Sequence, residues 1–347
     1  MNPSLPLRTN RLKRLRVIGA VAAVILLGTA AAVVVGTYRL SPVKKPSAPA
    51  AADSGSMLIE GIQQTAARDG LTEWILKARS GRLLQAEKKF LLTEPYVTFF
   101  RSDGQTFFLS AANGVVATDS HDMEAEGDVV IWNDRYRIRT EQIRYSHADR
   151  VIASDRPVSI AADRRKMTAA AGSVDLKANR VRLEGDVRGE IPAEPASSNR
   201  GAVHVSSDRL LVDLTADSAE FSGNARLAEK STITTADTLT VFTAPRTEGT
   251  GSAAADPDQI VVKRVIARGG VVVRAEDSTA EAEEAVFEPD TETLTLTGPQ
   301  TRLHSPSTAL SGRRIVISKR TDRLTAEGGP TGRVVVVIRP ASRPLHP

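Results

Sequence analysis

The chain has 347 residues, 41% hydrophobic and only 4% aromatic, and contains no cysteine, which excludes disulfide frameworks, cysteine nucleophiles and thiolate metal sites. Its formal charge of +5 comes from 46 basic and 41 acidic residues, but the first 50 residues hold eight of the basic and none of the acidic ones, leaving the remainder at −3. The basic character therefore belongs to the N-terminus, and with so few aromatic side chains for base stacking it does not mark a nucleic-acid surface.

Residues 1–16 form a basic tail carrying Arg8, Arg11, Lys13, Arg14 and Arg16. Val17 to Gly36 follows as an uncharged run of 20 residues. At about 1.5 Å rise per residue a helix of that length spans about 30 Å, one hydrocarbon thickness. The basic tail keeps the N-terminus in the cytoplasm and sends the rest of the chain across. Thr29-Ala30-Ala31-Ala32 offers the small residues of a cleaved signal peptide, but the apolar run continues through Val33, Val34 and Val35. A retained single-pass anchor is expected. Residues 37–56, rich in Pro, Ala and Ser from Ser41 onward, read as a flexible linker.

Beyond the linker one pattern recurs, an alternation of apolar and polar residues running through a glycine. The copies are MEAEGDVVI (Met123 to Ile131), VRLEGDVRGEI (Val181 to Ile191), AEFSGNARL (Ala219 to Leu227), VIARGGVVVRA (Val265 to Ala275), LTLTGPQ (Leu294 to Gln300) and LTAEGGP (Leu324 to Pro330). A degenerate copy, VIASDRPVSI (Val151 to Ile160), carries Asp155 in place of glycine. In a strand successive side chains point to opposite faces, so each copy has one apolar and one polar face. The markers Gly127, Asp155, Gly185, Gly223, Gly269, Gly298 and Gly328 are separated by 28, 30, 38, 46, 29 and 30 residues. A period near 30 indicates tandem supersecondary units, none of which buries its apolar face alone. Between the markers, RIRTEQIRYS (Arg137 to Ser146), VHVSSDRLLVDL (Val203 to Leu214), STITTADTLTVF (Ser231 to Phe242) and TALSGRRIVIS (Thr308 to Ser318) also alternate and are rich in residues that suit a pleated surface. The spacing predicts repeated strand-turn-strand units.

No catalytic constellation emerges. The histidines, His121, His147, His204, His304 and His346, never lie at ligand spacing, and no nucleophile elbow, zinc-helix motif or phosphate loop is present. Gly249-Thr250-Gly251 sits in TEGTGSAAADPD (Thr247 to Asp258) without a following helical pattern and reads as a loop insertion. Glu126, Asp128, Glu184 and Asp186 flank marker glycines on the polar face, whereas carboxylate catalysis needs groups aimed into a cleft. Neither an enzyme nor a metal or cofactor site is expected. What remains is the apolar face. Two such faces can meet as an ordinary core, or splay into a groove for acyl chains, each methylene contributing about 0.8 kcal/mol. The glycines are compatible with either, as bends in the strands or as room for a ligand.

The residues also carry a resemblance. The anchor and linker, DGLTEWILKA (Asp69 to Ala78), EPYVTFFRSDGQTFFLSAANG (Glu94 to Gly114) and MEAEGDVVIWNDRYRIRTEQIRYS (Met123 to Ser146) resemble the LptC family, the membrane-anchored periplasmic components of lipopolysaccharide transport. Val203 to about Ile338 is similar to the LptA/OstA repeat, with Thr235-Ala236-Asp237 and Ser206-Ser207-Asp208 turns recurring between marker glycines. This resemblance implies an all-β fold of elongated, twisted antiparallel β-jellyroll repeats after one N-terminal transmembrane helix. It implies an LptC-like domain at 57–195 and an LptA/OstA-like domain at 200–340, joined near PASSNRG (Pro195 to Gly201). Both kinds of region in one chain depart from the usual pattern. The implied function is non-enzymatic: lipid A chains of lipopolysaccharide would be accepted from an inner-membrane Lpt ABC transporter complex and passed across the periplasm. Onward transfer would go to an LptA-like or outer-membrane acceptor jellyroll joined by edge-strand addition, at the strand before Ala78 and at RVVVVIRP (Arg333 to Pro340). Acyl-chain contacts are expected among Met123, Val129, Ile131, Val181, Leu183, Val187, Ile191, Phe221, Leu227, Val271, Val273, Leu294 and Leu296. Two other classes compete. One is a FecR-like envelope sensor or scaffold with a closed sandwich and no lipid, for which the 16-residue cytoplasmic tail is short. The other is a β-helical polysaccharide enzyme or adhesin, which would need aromatic sugar platforms and converging carboxylates.

Overall fold

The computed structural model describes residues 56–338 except 69–70, 101–105, 121, 135, 163–164, 176, 193–200, 246–259, 307, 319, 322 and 329–333. The basic tail, the expected anchor Val17 to Gly36 and nearly all of the linker therefore lie outside the described residues, as do most of the joint at 195–201 and the insertion at 247–258. Among the described residues no helix is long and apolar enough to cross a membrane.

The alternating pattern becomes antiparallel sheet. In chain order the strands are β1 (Ser56–Arg68), β2 (Leu71–Leu84), β3 (Lys89–Thr93), β4 (Tyr96–Phe100), β5 (Thr106–Ser110), β6 (Asn113–Ala117), β7 (Met123–Trp132), β8 (Tyr136–Ser146), β9 (Val151–Ser154), β10 (Val158–Ala162) and β11 (Arg165–Ala169). They continue as β12 (Ala171–Asp175), β13 (Arg180–Ile191), β14 (Val203–Asp213), β15 (Ser218–Glu229), β16 (Thr232–Pro245), β17 (Ile260–Ala275), β18 (Ser278–Glu288), β19 (Thr293–His304), β20 (Thr308–Ser318), β21 (Arg323–Glu327) and β22 (Val335–Ile338). Two compact units divide the chain. The first runs to Asp163 and includes Ala170–Val181; the second takes Arg164–Ala169 and everything from Arg182. The division falls within β13.

In the second unit β14 to β20 form a meander in which each strand pairs with the next, and β20 then pairs with both β21 and β22. The 30-residue period is thus one pair of strands, with the markers on β15, β17 and β19 and just past β21. Tight local turns make this possible. The Asp213 carboxylate, for example, accepts the backbone N–H groups of Thr215 and Ala216 at 2.9 and 3.0 Å, and Asp175 does the same for Lys177 and Ala178.

The markers lie where strands bend. Gly127-Asp128, Gly223-Asn224 and Gly269-Gly270 are each opposed by a single residue of the next strand, Glu141, Asp237 and Glu283 respectively. Two residues facing one is a β-bulge, which bends and twists its strand. Elsewhere the strand breaks instead. β7 pairs with β6 over its first half and with β5 over its second, and β8 pairs with β9 and β10 in the same way. Asp155, the marker without glycine, sits in the gap between β9 and β10, where the Ser154 hydroxyl bonds the Thr140 hydroxyl at 2.8 Å. Gly328 similarly lies beyond the end of β21.

Glycine is required at Gly223 and Gly269. Their φ values are +76° and +78°, and a Cβ there would stand 3.0 Å from Asp208 Cγ and 2.7 Å from Asp237 Cγ. Left-handed backbone already costs a side-chain-bearing residue about 1–2 kcal/mol. The acidic residue of the Ser-Ser-Asp and Thr-Ala-Asp segments is what lies over the glycine, and Asn224 Nδ2 donates to Asp208 Oδ2 at 3.0 Å. Gly269→Ala is expected to destabilise the second unit by about 1–3 kcal/mol. Faster amide exchange in β16 and β17 would register it, and unchanged exchange would show that the bulge tolerates a side chain.

Candidate functional site

Strand register turns the alternation into rows of side chains across the sheet. In the second unit Leu210, Phe221, Leu239, Ala267, Ala285, Leu296 and Ile315 are successive cross-strand partners from β14 to β20. All are buried, and Leu296 and Ile315 are wholly inaccessible. On the same face lies a parallel row, Val212, Ala219, Val241, Val265, Phe287, Leu294, Ile317 and Leu324, again entirely apolar. It is only half-buried and ends at Leu324, 47% exposed. Beyond the bulges a third row combines buried Val205, Ala280 and Leu310 with half-buried Leu227, Thr234, Val273 and Leu303. At the line of bulges the buried residues include Ser207, Ala225, Ala236 and Val271. That face therefore has a packed centre and two apolar flanks within reach of solvent.

The first unit repeats the arrangement. Leu76, Val97, Leu109, Ile131, Ile138 and Ile160 make one apolar row across β2, β4, β5, β7, β8 and β10. Across the break Leu83, Phe90, Val116, Met123, Tyr145, Ile152 and Val174 make another. Burial pushes the Tyr145 hydroxyl above the usual tyrosine range, opposed by the charge of Arg150.

Of the residues expected to contact acyl chains, Val129, Ile131, Val181, Leu183, Val187, Phe221, Val271 and Leu296 are buried, and Met123, Leu227, Val273 and Leu294 are half-buried. Ile191, at the end of β13, is 44% exposed. The register brings Phe221 and Leu296 into the central row, Leu227 and Val273 into one flank and Leu294 into the other. Leu210, Leu239, Phe287 and Ile315 belong to the same surface but lie on strands between markers. For Leu210, Leu239 and Ile315 the signal was the alternation of VHVSSDRLLVDL, STITTADTLTVF and TALSGRRIVIS; Phe287 lies in none of these segments.

Charged groups stay off this face. Glu126, Asp128, Glu184 and Asp186 are exposed, and Arg268 pairs across strands with Glu284 at 2.7 Å. Among the described residues no cluster of three or more His, Asp or Glu side chains could hold a metal ion. A pocket of about 670 Å³ is lined by Glu283, Thr297, Gly298, Pro299, Arg313, Arg314, Glu327 and Gly328. At the sheet ends β1 pairs with β2 and exposes Leu58 by 60%, while β22 exposes Val335 and Val336 by 52% each.

Two family models match. Residues 22–192 match the LptC-related family of lipopolysaccharide assembly, and residues 204–323 match the LptA/LptD N-terminal domain family of lipopolysaccharide transport proteins. The chain joins an LptC-family region to an LptA-type region. Both matched families are families of lipopolysaccharide assembly and transport, and the LptA-type match covers β14 to β20, which build the three apolar rows of the second unit except Leu324. No curated protein matches the chain. Among solved structures, the crystal structure of LptH, the LptA-homologous periplasmic component of the lipopolysaccharide transport device of Pseudomonas aeruginosa, is similar at 16% identity and a TM-score of 0.32, covering 40% of this chain and 95% of LptH. At that score the likeness adds nothing to the assignment.

Proposed function

We propose that this chain is a non-enzymatic lipopolysaccharide carrier whose apolar sheet faces, folded as β-jellyrolls, hold the acyl chains of lipid A. Val17 to Gly36 anchors it in the inner membrane with the bulk of the chain in the periplasm. The LptC-like region, 57–195, accepts lipid from an inner-membrane ABC transporter, and the LptA-like region, 200–340, passes it to an acceptor jellyroll by strand addition at an exposed edge. The observation that carries this reading is a pair of apolar flanks, one half-buried throughout and one in part, beside a fully packed row. Two further, mostly apolar rows, many of whose side chains stay within reach of solvent, exceed what a core alone requires. Acyl chains laid along them would gain about 0.8 kcal/mol per methylene buried.

Site-specific photo-crosslinking in envelope membranes tests it. A photoreactive residue at Leu227 or Leu294 should form lipopolysaccharide adducts when ATP is supplied, and one at the outward positions Arg226 or Arg302 should not. A folded protein that labels at none of the four would have a closed interior, favouring the sensor or scaffold alternative.

A further inference from the structure

The opposite face of the first unit is not a plain polar exterior. Most of the chain's aromatic residues lie between Trp74 and Tyr145, whereas the second unit has only Phe221, Phe242 and Phe287. Several of them point outward and meet. Tyr96, Phe108 and Trp132, on β4, β5 and β7, have ring centroids 6.2, 5.6 and 5.9 Å apart in pairs. Their neighbours Val97, Phe107, Leu109 and Ile131 are the buried ones, so this trio lies on the other side of the sheet. Register extends the trio into two adjacent rows. One is Ile75, Thr98, Phe108, Trp132, Arg137 and Ala161; the other is Lys77, Tyr96, Ser110, Val130, Arg139 and Ser159. These rows hold three cations and no carboxylate. Lys77, Arg137 and Arg139 are exposed, and so is Tyr96.

We propose that this outer face docks on a membrane surface bearing anionic lipid headgroups. Tyrosine and tryptophan combine an apolar body with a polar tip and settle at the headgroup level. Cations around them meet lipid phosphates, and within these two rows no carboxylate offsets them; the exposed Asp128 and Glu141 lie beyond the rows, toward the bulge. The inference rests on the anchored reading above. In the sequence 19 residues, 37–55, separate the apolar run from β1, and on the linker reading of their composition such a length would have a mean span of only about 25 Å. The first unit is then held close to the bilayer, where a weak patch suffices because docking is intramolecular. Docking would set which side of this unit faces the membrane.

The test uses the full chain with Trp74→Phe, which leaves Trp132 as the only tryptophan. It is reconstituted into phosphatidylcholine vesicles with or without phosphatidylglycerol, each containing headgroup-spin-labelled lipid as quencher. Flotation first reports whether the chain is anchored. Trp132 quenching should rise at least about twofold with the anionic lipid, because each surface cation contributes about 1 kcal/mol. The gain should vanish in roughly 0.5 M salt, where charges are screened within a few ångströms, and in a variant with Lys77→Gln, Arg137→Gln and Arg139→Gln. A floating chain whose Trp132 is not quenched overturns the docking proposal alone and assigns the face to a protein or glycan partner. A chain that does not float overturns the anchored reading, and docking with it. Should Trp74→Phe fail to fold, the difference in quenching between the unaltered chain and its Trp132→Phe variant gives the same readout.

Discussion

Leu296→Ala is expected to lower the stability of the second unit by about 2–5 kcal/mol, the range for emptying a packed leucine site. Leu296 is wholly inaccessible and stands between Ala285 and Ile315 in the central row. Both of its cross-strand neighbours are held in strands bonded on each side, so the gap cannot close by a local shift. Alanine at position 285 already contributes little volume, which leaves Leu296 and Ile315 to fill the layer. The effect should appear as a lower urea midpoint for the second unit and as faster amide exchange in β18, β19 and β20. A substitution at the other end of burial makes the control. Leu324→Ala, at a residue 47% exposed, should change stability by no more than about 0.5 kcal/mol. Equal losses at the two positions would mean that the face has no packed centre.

Leu227→Asp should separate carrying from folding. Leu227 is half-buried, opposite Val205 and Thr234, on the flank that reaches solvent. A carboxylate there can turn toward water, so the strand should survive at a cost of about 1 kcal/mol or less. Acyl chains, by contrast, would lie against a charge that must be stripped of water or neutralised. Lipopolysaccharide recovered with the protein after ATP-driven loading should fall at least about tenfold, which corresponds to only about 1.4 kcal/mol of binding. The control is Arg226→Asp, one residue away on the outer face, which makes the same side chain without entering the flank. Loading reduced equally by both substitutions would point to charge or folding and away from the apolar face. Loading unaffected by either would exclude this flank as a lipid contact.

Much of the candidate site was legible residue by residue. Alternation identified the apolar members of AEFSGNARL and LTLTGPQ, and Phe221, Leu227, Leu294 and Leu296 all lie on one face of one sheet. Depth of burial was not legible. Leu294 and Leu296 are two residues apart with the same local pattern, yet one is half-buried and the other closed off. That difference depends on how each row sits relative to the bend, which no single strand records. The outward aromatic trio was hidden for a related reason. Tyr96, Phe108 and Trp132 come from three strands, and only their register brings the rings within 6.2 Å.

The marker glycines draw the same boundary. Period-two alternation and a 30-residue spacing determined an all-β chain of tandem strand pairs, because which face a side chain takes is settled by its own backbone. Continuing that alternation straight through LEGDV would put Gly185 inward. The structure instead exposes it, with φ of +75° followed by +48° at Asp186. Gly-Asp, Gly-Asn and Gly-Gly are bulges aligned against Glu141, Asp237 and Glu283 of neighbouring strands. Only the tertiary structure decided that alignment, since a bulge is defined by the partner strand it faces and pairing is non-local. The amino-acid order specifies an apolar face, while the bend in the sheet divides that face into a packed centre and two less deeply buried flanks.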